Sequence, residues 1–245
     1  MTAEDLKHDN LKTEILAIIP ARGGSKGIPN KNLKVVNGMP LIGWTIEQAK
    51  ASALLTEIFV STDSLEIAEY SENLGISAKP LRPTMLATDT ATTIDTVVHV
   101  LENFKKIGRN FEFVFLLEPT SPLRKKSDID ECIQSLWSRK NSFDALITLG
   151  RGREHPSLLR LMLDSGQVET YLDSDLSESR RQDLPTVYFP FGVAYLIKVD
   201  TLYLEKSFYP QKTLGFLLDD WQCFEVDNPI DLILVEKLVE IYGNS

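Results

Sequence analysis

Cysteine and histidine are scarce in this chain. Its 245 residues include two cysteines, Cys132 and Cys223, and three scattered histidines. Two cysteines cannot build a disulfide framework, and neither residue type shows the spacing of a zinc site. The sequence therefore excludes a small secreted fold held by disulfides and a protein organised around structural zinc.

Long apolar runs and net positive charge are missing as well. No run approaches the ~18 residues that a membrane-spanning helix needs, so we expect no membrane partner. Residues 1–12 are polar and lack the apolar core of a signal peptide, which predicts a loose tail and a cytoplasmic protein. The formal net charge of −9 disfavours nucleic acid as a partner.

Against this acidic background, residues 15–32 combine a buried-strand pattern with a glycine-rich basic loop. The strand pattern covers Ile15–Ile19 and stops at Pro20, and the cations of the loop are Arg22, Lys26 and Lys31. Glycines expose backbone N–H groups, and Arg and Lys add charge, so the loop predicts a polyphosphate site. It matches neither the P-loop nor the dinucleotide fingerprint, and the alternative interpretation is a flexible turn with solvated lysines.

Strand and helix patterns alternate along most of the chain. This predicts an α/β fold whose mostly parallel central sheet carries helices on both faces. The predicted strands are Ile15–Ile19, Glu57–Ser61, Ile76–Lys79, Phe111–Leu117, Ala145–Leu149, Val193–Lys198, Phe216–Leu218 and Cys223–Val226. The predicted helices cover about 41–52, 65–73, 92–106, 128–140 and 229–241, the last with Ile230, Ile233, Leu234 and Leu238 facing inward. Since ligands bind beyond the carboxyl ends of such strands, the loops 20–32, 61–64 and 118–124 should share one rim.

The alternation stops between residues 151 and 190. This stretch is rich in Arg, Asp, Ser and Glu, shows two possible short strands near 158–163 and 168–172, and is too long for an ordinary connection. We predict that residues 13–150 and 191–245 form the α/β domain. Residues 151–190 would be an inserted subdomain or arm that contacts another subunit.

Five motifs together resemble the acylneuraminate cytidylyltransferases, which are the CMP-sialic acid synthetases and their bacterial nonulosonate relatives. They are IPARGGSKGIPNKN (19–32), STDS (61–64), RPxxLAxD (82–89), PTSPLR (119–124) and EVDxPxD (225–231). The resemblance extends from residue 15 to about residue 240. It implies a nucleotide-diphospho-sugar transferase-like fold with a small dimerisation subdomain, and a homodimer built on the insertion.

The same resemblance implies a reaction: CTP and an acidic 2-keto-3-deoxy sugar give the CMP-sugar and pyrophosphate, with Mg²⁺ (or Mn²⁺) as cofactor. Chemistry of this kind depends mainly on positioning and electrostatics. The implied catalytic residues are Arg22 and Lys26 on the triphosphate and Asp227 on the metal, with Glu225 as a second metal ligand. The implied nucleotide contacts are Ala21, Arg22, Gly23, Gly24, Ser25, Lys26, Asn32, Arg82, Ala91 and Thr93. The implied sugar contacts are Glu118, Arg181, Phe191, Tyr195, Phe208 and Tyr209.

Three of these positions depart from the pattern of the family. Glu225 stands where an aspartate is usual, which changes the geometry offered to Mg²⁺. Glu118 and Phe191 stand where the sialate-specific members have glutamine and asparagine. An ionised glutamate accepts hydrogen bonds only and repels a substrate carboxylate, so Glu118 should face a hydroxyl or an amine. The predicted substrate is therefore a nonulosonic-type acid, with N-acetylneuraminate itself less favoured.

Several of these residues also have structural interpretations. Asp63 would cap the helix that follows it, and Arg124 would fasten the 119–124 turn or contact the substrate. Phe208 and Tyr209 would simply pack, and His99 would be a structural residue.

Near the carboxyl terminus, Asp231 complements a helix dipole, whereas Asp227 should follow a strand directly. Two functional alternatives also remain open. One is a nucleotidyltransferase for another base or another sugar acid, such as a 3-deoxy-octulosonate. The other is a non-catalytic nucleotide-binding paralogue.

Overall fold

The computed structural model describes residues 13–25, 27–172 and 180–243, and a six-stranded sheet forms its centre. The strands in chain order are β1 (Ile15–Pro20), β2 (Val35–Val36), β3 (Met39–Pro40), β4 (Glu57–Ser61), β5 (Phe113–Leu116), β6 (Ala145–Arg151), β7 (Arg160–Met162), β8 (Val168–Thr170), β9 (Tyr188–Lys198) and β10 (Thr213–Leu217). The central sheet has the order β10-β6-β9-β5-β1-β4, and β9 alone runs antiparallel to its neighbours. The predicted mostly parallel α/β sheet is confirmed.

The described residues also form six α-helices. They are α1 (Leu41–Ala51), α2 (Leu65–Asn73), α3 (Thr93–Lys106), α4 (Asp128–Trp137), α5 (Val199–Glu205) and α6 (Pro229–Tyr242). Side chains at their amino ends set several of these boundaries: Ser64 caps α2, and Thr92 and Asn228 form capping boxes at α3 and α6. No helix in the described ranges is long and apolar enough to cross a membrane.

The alternating side chains of β1 divide the core into two layers. Ile15, Ala17 and Ile19 pack in a cluster with residues of α1, α2 and α4, whereas Leu16 and Ile18 pack with residues of α3 and α5. All five side chains are buried, as expected for a central strand covered on both faces. The helices therefore lie on both faces of the sheet, as the sequence predicts.

Two predicted strands are wrong. Residues 76–79 contribute a single parallel bridge, between Ser77 and Phe59. Residues 223–226 form no strand, because the N–H of Val226 bonds to Thr120 O in a loop. The sequence analysis also misses α5 and the β2–β3 hairpin, and it extends α4 beyond its end at Trp137.

Three of the four residues predicted to face inward on α6 are wrong. Ile230, Ile233 and Leu234 are exposed, whereas Leu238 packs against the core beside the buried Val235 and Val239. Almost every turn of this helix carries apolar residues on several sides, so hydrophobic spacing alone does not select the buried face.

The predicted insertion lies between β6 and β9. Residues 188–190 of β9 pair with residues 149–151 of β6, so both flanks of the segment continue the central sheet. Beyond them, β7 and β8 form a separate antiparallel hairpin. Several of its apolar side chains are exposed, among them Leu161, Met162 and Val168.

Candidate active site

The loops that follow β1, β4 and β5 meet at one rim of the sheet, as predicted. The loops after β1 and β5 border a pocket of about 280 Å³, and the loop after β4 contacts the loop after β1 through the bond from Gly23 to Asp63. Seven of the residues that line it are predicted site residues: Arg22, Ser25, Asn32, Arg82, Ala91, Thr93 and Glu118. The common rim follows from the parallel strands, which deliver their carboxyl ends to the same edge.

The phosphate loop, residues 21–32, is held by contacts on its backbone. Asn32 Nδ2 donates to Arg22 O at 3.0 Å, and the N–H of Gly23 donates to Asp63 Oδ1 at 2.9 Å. A Cβ on Gly24 would meet nothing within 4 Å, so the backbone there lies open. The predicted cradle is thus only partly available, because the Gly23 N–H already has a partner within the protein.

The cations of the loop differ in what they contact. Arg22 Nη1 lies 2.7 Å from Asp89 Oδ1, and both side chains are partly exposed. Lys31 Nζ donates to Val226 O at 2.8 Å and lies 3.1 Å from Asp227 Oδ1. Lys26 lies outside the described residues, so its predicted triphosphate contact stays a prediction.

Asp63 does not cap α2, so that interpretation is wrong. Ser64 Oγ accepts the N–H of Ile67 and caps the helix, which leaves the Asp63 carboxylate to Gly23. Ser and Asp are both good caps, and in the sequence the two are adjacent. The sequence alone therefore could not decide which of them faces the helix.

Asp227 lies beside the phosphate loop. A Cβ on Gly27 would overlap the carbonyl oxygen of Asp227, so glycine at this position allows the two segments to touch. The Asp227 side chain is 74% exposed, and it precedes α6 rather than following a strand. Asp231 Oδ2 accepts the N–H groups of Asp227 and Asn228 at 2.8 Å each, which confirms its predicted role at the helix terminus.

Two glutamates meet at Gly192 in β9. Glu118 Oε2 and Glu225 Oε1 lie 2.5 Å and 2.8 Å from the point where a Cβ on Gly192 would stand. Glu225 Oε1 also accepts the N–H of Gly192 at 2.6 Å and the hydroxyl of Ser121 at 2.8 Å. Only a glycine leaves room for both carboxylates.

The electrostatics of this pair differ from the expectation of an ionised Glu118. Burial, followed by the charges of Glu225 and Asp227, raises the pKa of Glu118 to about 7. Near neutral pH its carboxyl is divided between the two protonation states, and the protonated form can also donate a hydrogen bond.

An irregularity in β9 produces this arrangement. The register of β9 against β6 shifts between Ile147 and Leu149, and Arg124 lies beneath the shifted segment. The buried guanidinium donates to Val193 O at 2.7 Å and to Gln48 Oε1 at 2.7 Å. Arg124 is therefore a structural residue, but its side chain fastens β9 and Gln48 of α1 instead of the 119–124 turn that the sequence suggests.

Arg82 is buried beside the end of β4. Its Nε donates to Ser61 Oγ at 3.1 Å, and its Nη2 bonds to Ser61 O. Burial lowers the pKa of Arg82 to about 10, and the negative charge of Asp63 opposes that shift. The guanidinium stays charged at neutral pH while it anchors the segment that carries Ala91 and Thr93 to the pocket.

The predicted sugar wall consists of aromatic contacts. The ring centroid of Tyr195 lies 5.8 Å from that of Phe208 and 6.1 Å from that of Tyr209. Phe208 is buried in the core, whereas Tyr209 is 53% exposed. Phe191 packs elsewhere, against Phe189 at 5.3 Å and in a cluster with Val193, Leu218 and Cys223. The side chain of Arg181 lies outside the described part of the chain.

The sequence analysis missed several contributors to this site. Lys31 counted as a cation of the loop but had no assigned role, although its charge and position were the available signal. Asp89 ends the RPxxLAxD motif and pairs with Arg22, and the two glutamates meet at Gly192. Neither of the last two contacts could be found from sequence spacing, since each joins segments that are distant in the chain.

Comparison with known proteins gives concordant matches. Residues 16–243 match the family described as cytidylyltransferase. The chain is 36% identical over 229 residues to the CMP-N,N'-diacetyllegionaminic acid synthase of Legionella pneumophila, covering 93% of this chain and 97% of that protein. It is also 36% identical over 222 residues to an N-acylneuraminate cytidylyltransferase of Streptococcus agalactiae, covering 90% of this chain and 52% of the relative. The chain thus spans about half the length of that second relative.

The fold is similar to that of solved structures too. A CMP:2-keto-3-deoxy-manno-octonic acid synthetase complexed with CTP superposes with a TM-score of 0.67 at 18% identity, covering 93% of this chain and 99% of that one. At this level of identity the likeness concerns the fold alone.

Proposed function

Because the chain belongs to the cytidylyltransferase family, we propose that it activates a nonulosonic, sialic-type acid with CTP, giving the CMP-sugar and pyrophosphate. In the proposed step the anomeric hydroxyl of the sugar forms a bond to the α-phosphorus. The bond between the α-phosphorus and the bridging oxygen breaks, the hydroxyl loses its proton, and pyrophosphate leaves.

One observation carries this proposal: the phosphate loop and the carboxylates belong to the same site. Lys31 Nζ lies 3.1 Å from Asp227 Oδ1, and the backbone of Gly27 packs against Asp227. A triphosphate bound by Arg22 would lie beside this contact between the phosphate loop and Asp227, with the sugar on the side of Glu118. Phosphoryl chemistry of this type needs fixed cations and correct orientation more than covalent catalysis.

We include a divalent cation, Mg²⁺ or Mn²⁺, in the proposal. Among the described residues no group of three or more His, Cys, Asp or Glu is arranged as a metal site. Mg²⁺ nevertheless binds nucleotides through one or two carboxylates together with phosphates and water. Desolvation is the main cause of the raised pKa of Glu118, and the charges of Glu225 and Asp227 add to it; a cation would offset that negative charge. These two residues would hold it, and it would neutralise charge on the triphosphate.

The protein's own residues would contribute mainly by binding and orientation. Arg22, with Lys26, would grip the triphosphate, and its guanidinium would then exchange Asp89 for phosphate oxygens. Asn32, which bonds to the carbonyl of Arg22, would keep the loop folded around the ligand. Arg82, Ala91 and Thr93 would line the base and ribose side of the pocket.

The choice of sugar acid depends on local chemistry. Relatives named for two different nonulosonic acids are equally similar to this chain, at 36% identity each. Glu118 borders the pocket next to Glu225, so that side would suit a sugar that presents a hydroxyl or an N–H group.

Pyrophosphate release tests this proposal. Each of the four NTPs would be combined with a panel of eight- and nine-carbon 2-keto acids, with Mg²⁺, Mn²⁺ or a chelator. We expect release with CTP, a nine-carbon acid and either metal, and loss of activity with the chelator. Preference for another NTP or for an eight-carbon acid would favour the alternative transferase, and CTP binding without any turnover would favour a non-catalytic paralogue.

We also propose that residues 151–190 form the contact of a homodimer. The exposed apolar side chains of Leu161, Met162 and Val168 on the β7–β8 hairpin support this proposal, since water contact with such groups is unfavourable. Light scattering of the wild type and of Met162→Glu would test it, with a dimer and a monomer as the expected results. A cytoplasmic location, without nucleic-acid or membrane partners, stays a prediction.

A further inference from the structure

We propose that Asp63 is a positioning residue that holds the phosphate loop in the conformation that binds the triphosphate. This inference rests on the proposed function, because the loop is the proposed triphosphate site. Neither the motifs nor the comparisons assign Asp63 a role towards the nucleotide.

The contact continues the sheet beyond its last paired residues. Pro20 of β1 pairs with Ser61 of β4, and the N–H of Ala21 donates to Ser61 O at 2.9 Å. Beyond that point the segments that follow β1 and β4 are no longer paired through their backbones. The Asp63 carboxylate joins them by accepting the N–H of Gly23 at 2.9 Å. A charged acceptor makes this a stronger bond than an ordinary backbone pair.

The fit between the two segments is close. A Cβ on Gly23 would lie 3.0 Å from the Cβ of Ser64, so the loop rests directly on the turn that follows β4. The bond to Asp63 fixes the backbone immediately after Arg22. It therefore sets the direction in which the guanidinium of Arg22 leaves the loop.

Asp63 also affects the opposite side of the pocket. Its charge acts on the buried Arg82. The described hydrogen bonds of the Arg82 guanidinium all go to neutral oxygens, those of Ser61 and Leu86. One carboxylate thus stabilises a cation on the base and ribose side while it holds the phosphate side. Removal of Asp63 should disturb the pocket at both places.

Asp63 differs in this from Asp89, another acid that contacts the loop. Asp89 pairs with the side chain of Arg22, so a triphosphate has to displace it. Asp63 bonds to the backbone instead, and that bond can persist when phosphate binds to the side chains. Asp89 therefore competes with the ligand, whereas Asp63 supports its site.

Three variants test the inference. Asp63→Ala removes the acceptor, Asp63→Asn keeps an acceptor oxygen but removes the charge, and Ser64→Ala removes the hydroxyl that caps α2 while it keeps the Cβ next to Gly23. The readouts are the dissociation constant of CTP by calorimetry, KM for CTP and for the sugar acid, kcat, and thermal unfolding. Asp63→Ser replaces the alanine variant should that one fail to fold.

We expect Asp63→Ala to weaken CTP binding about tenfold, the loss typical of one charge-assisted hydrogen bond, with KM for the sugar acid unchanged within about twofold. Asp63→Asn should stay within about threefold of the wild type for CTP, because its Oδ1 can accept the same N–H. Ser64→Ala should lower the unfolding temperature and leave the affinity for CTP unchanged.

Three results would overturn the role of Asp63: wild-type CTP affinity in Asp63→Ala, equal losses in the Asn and Ala variants, or an equal loss in Ser64→Ala. If the wild type binds CTP and releases pyrophosphate, and Asp63→Ala does both equally well, this inference is refuted and the proposed function is not. A wild type that does not bind CTP refutes the proposed function, and the inference with it.

Discussion

The two sides of the pocket are built in different ways. On the phosphate side, a continuous segment of twelve residues, 21–32, supplies the glycines and the cations, and neighbouring carboxylates and amides hold its backbone. On the sugar side, Glu118, Gly192 and Glu225 come from three distant parts of the chain and meet within a few ångströms. The first side depends on local sequence and the second on tertiary packing.

The two sides also differ in charge and exposure. Arg22 and Asp227 are reachable from solvent, so water and salt screen their interactions. Glu118 is half-buried, and its pKa is raised to about 7, chiefly by desolvation and then by the charges of Glu225 and Asp227. Substitutions on the phosphate side should therefore change ligand binding, whereas those on the sugar side should change both the fold and the specificity.

The largest effect is expected where the two sides meet, at Asp227. Asp227→Asn should lower turnover by about 100-fold or more, because removal of a group that stabilises transition-state charge costs this much in comparable sites. Since the side chain is 74% exposed, thermal unfolding should stay close to that of the wild type. Pyrophosphate release at saturating CTP measures the effect.

The control for this variant is Asp200→Asn, which alters an exposed carboxylate at the start of α5. It should release pyrophosphate at the wild-type rate. Wild-type turnover in Asp227→Asn would refute the metal-binding role and remove the proposed link between the two sides.

A glycine on each side provides a direct test of the structural difference. Gly192→Ala places a methyl group within 3 Å of both Glu118 and Glu225, so a carboxylate has to move. We expect a loss of about 1–3 kcal/mol in the free energy of unfolding, the usual cost of overpacking. Activity should fall more than tenfold at the same time, by the order expected when catalytic groups are misplaced.

Gly24→Ala is the matched change on the phosphate side, where a Cβ meets nothing within 4 Å. Its free energy of unfolding should equal or slightly exceed that of the wild type, since alanine restricts the unfolded chain. Chemical denaturation measures both variants. Equal stabilities for the two alanine variants would contradict the view that the backbone is tightly packed at Gly192 and open at Gly24.

A smaller effect is expected at Lys26. Lys26→Ala should weaken CTP binding at least about tenfold, because a charge-assisted contact contributes roughly 1.5–3 kcal/mol. Calorimetric titration with CTP measures this, and Lys34→Ala, an exposed lysine nearby, is the control. A titration of Lys26→Ala that matches the wild type would remove this residue from the site.

The same difference between the two sides explains what could be predicted from the sequence. The strands with strong apolar runs, such as Ile15–Pro20 and Glu57–Ser61, lie where the sequence places them, and so does the phosphate loop that follows β1. These features depend on neighbours in the chain. The strand proposed at residues 223–226 is wrong, since several long-range bonds, among them those that join Val226 to Thr120 and to Lys31, hold that segment in a loop.

The predicted site shows the same division. The rim shared by Arg22, Asn32 and Arg82 follows from topology, which the alternation of strands and helices predicts. The meeting of two glutamates at a glycine in an irregular strand depends on a register shift that no spacing rule contains. Asp63 was misassigned for a related reason, since its partner Gly23 is forty residues away.

The smallest expected effect concerns the choice of sugar acid on the sugar side. Glu118→Gln keeps the size of the side chain, replaces a half-buried ionisable group with a neutral amide, and adds a permanent donor. Because the charge next to Glu225 disappears, a sugar carboxylate should be tolerated better at this position. We expect preference to shift towards N-acetylneuraminate by about three- to tenfold, the range of one modest polar contact.

Measured kcat/KM values across several nine-carbon acids would show this shift, with CTP held at saturation. KM for CTP should stay unchanged, because we assign Glu118 to the sugar side of the pocket. A flat specificity profile in Glu118→Gln would mean that Glu118 does not select the sugar. A parallel rise in KM for CTP would mean that the sugar side and the phosphate side do not act separately, and it would contradict the division of the pocket into two sides.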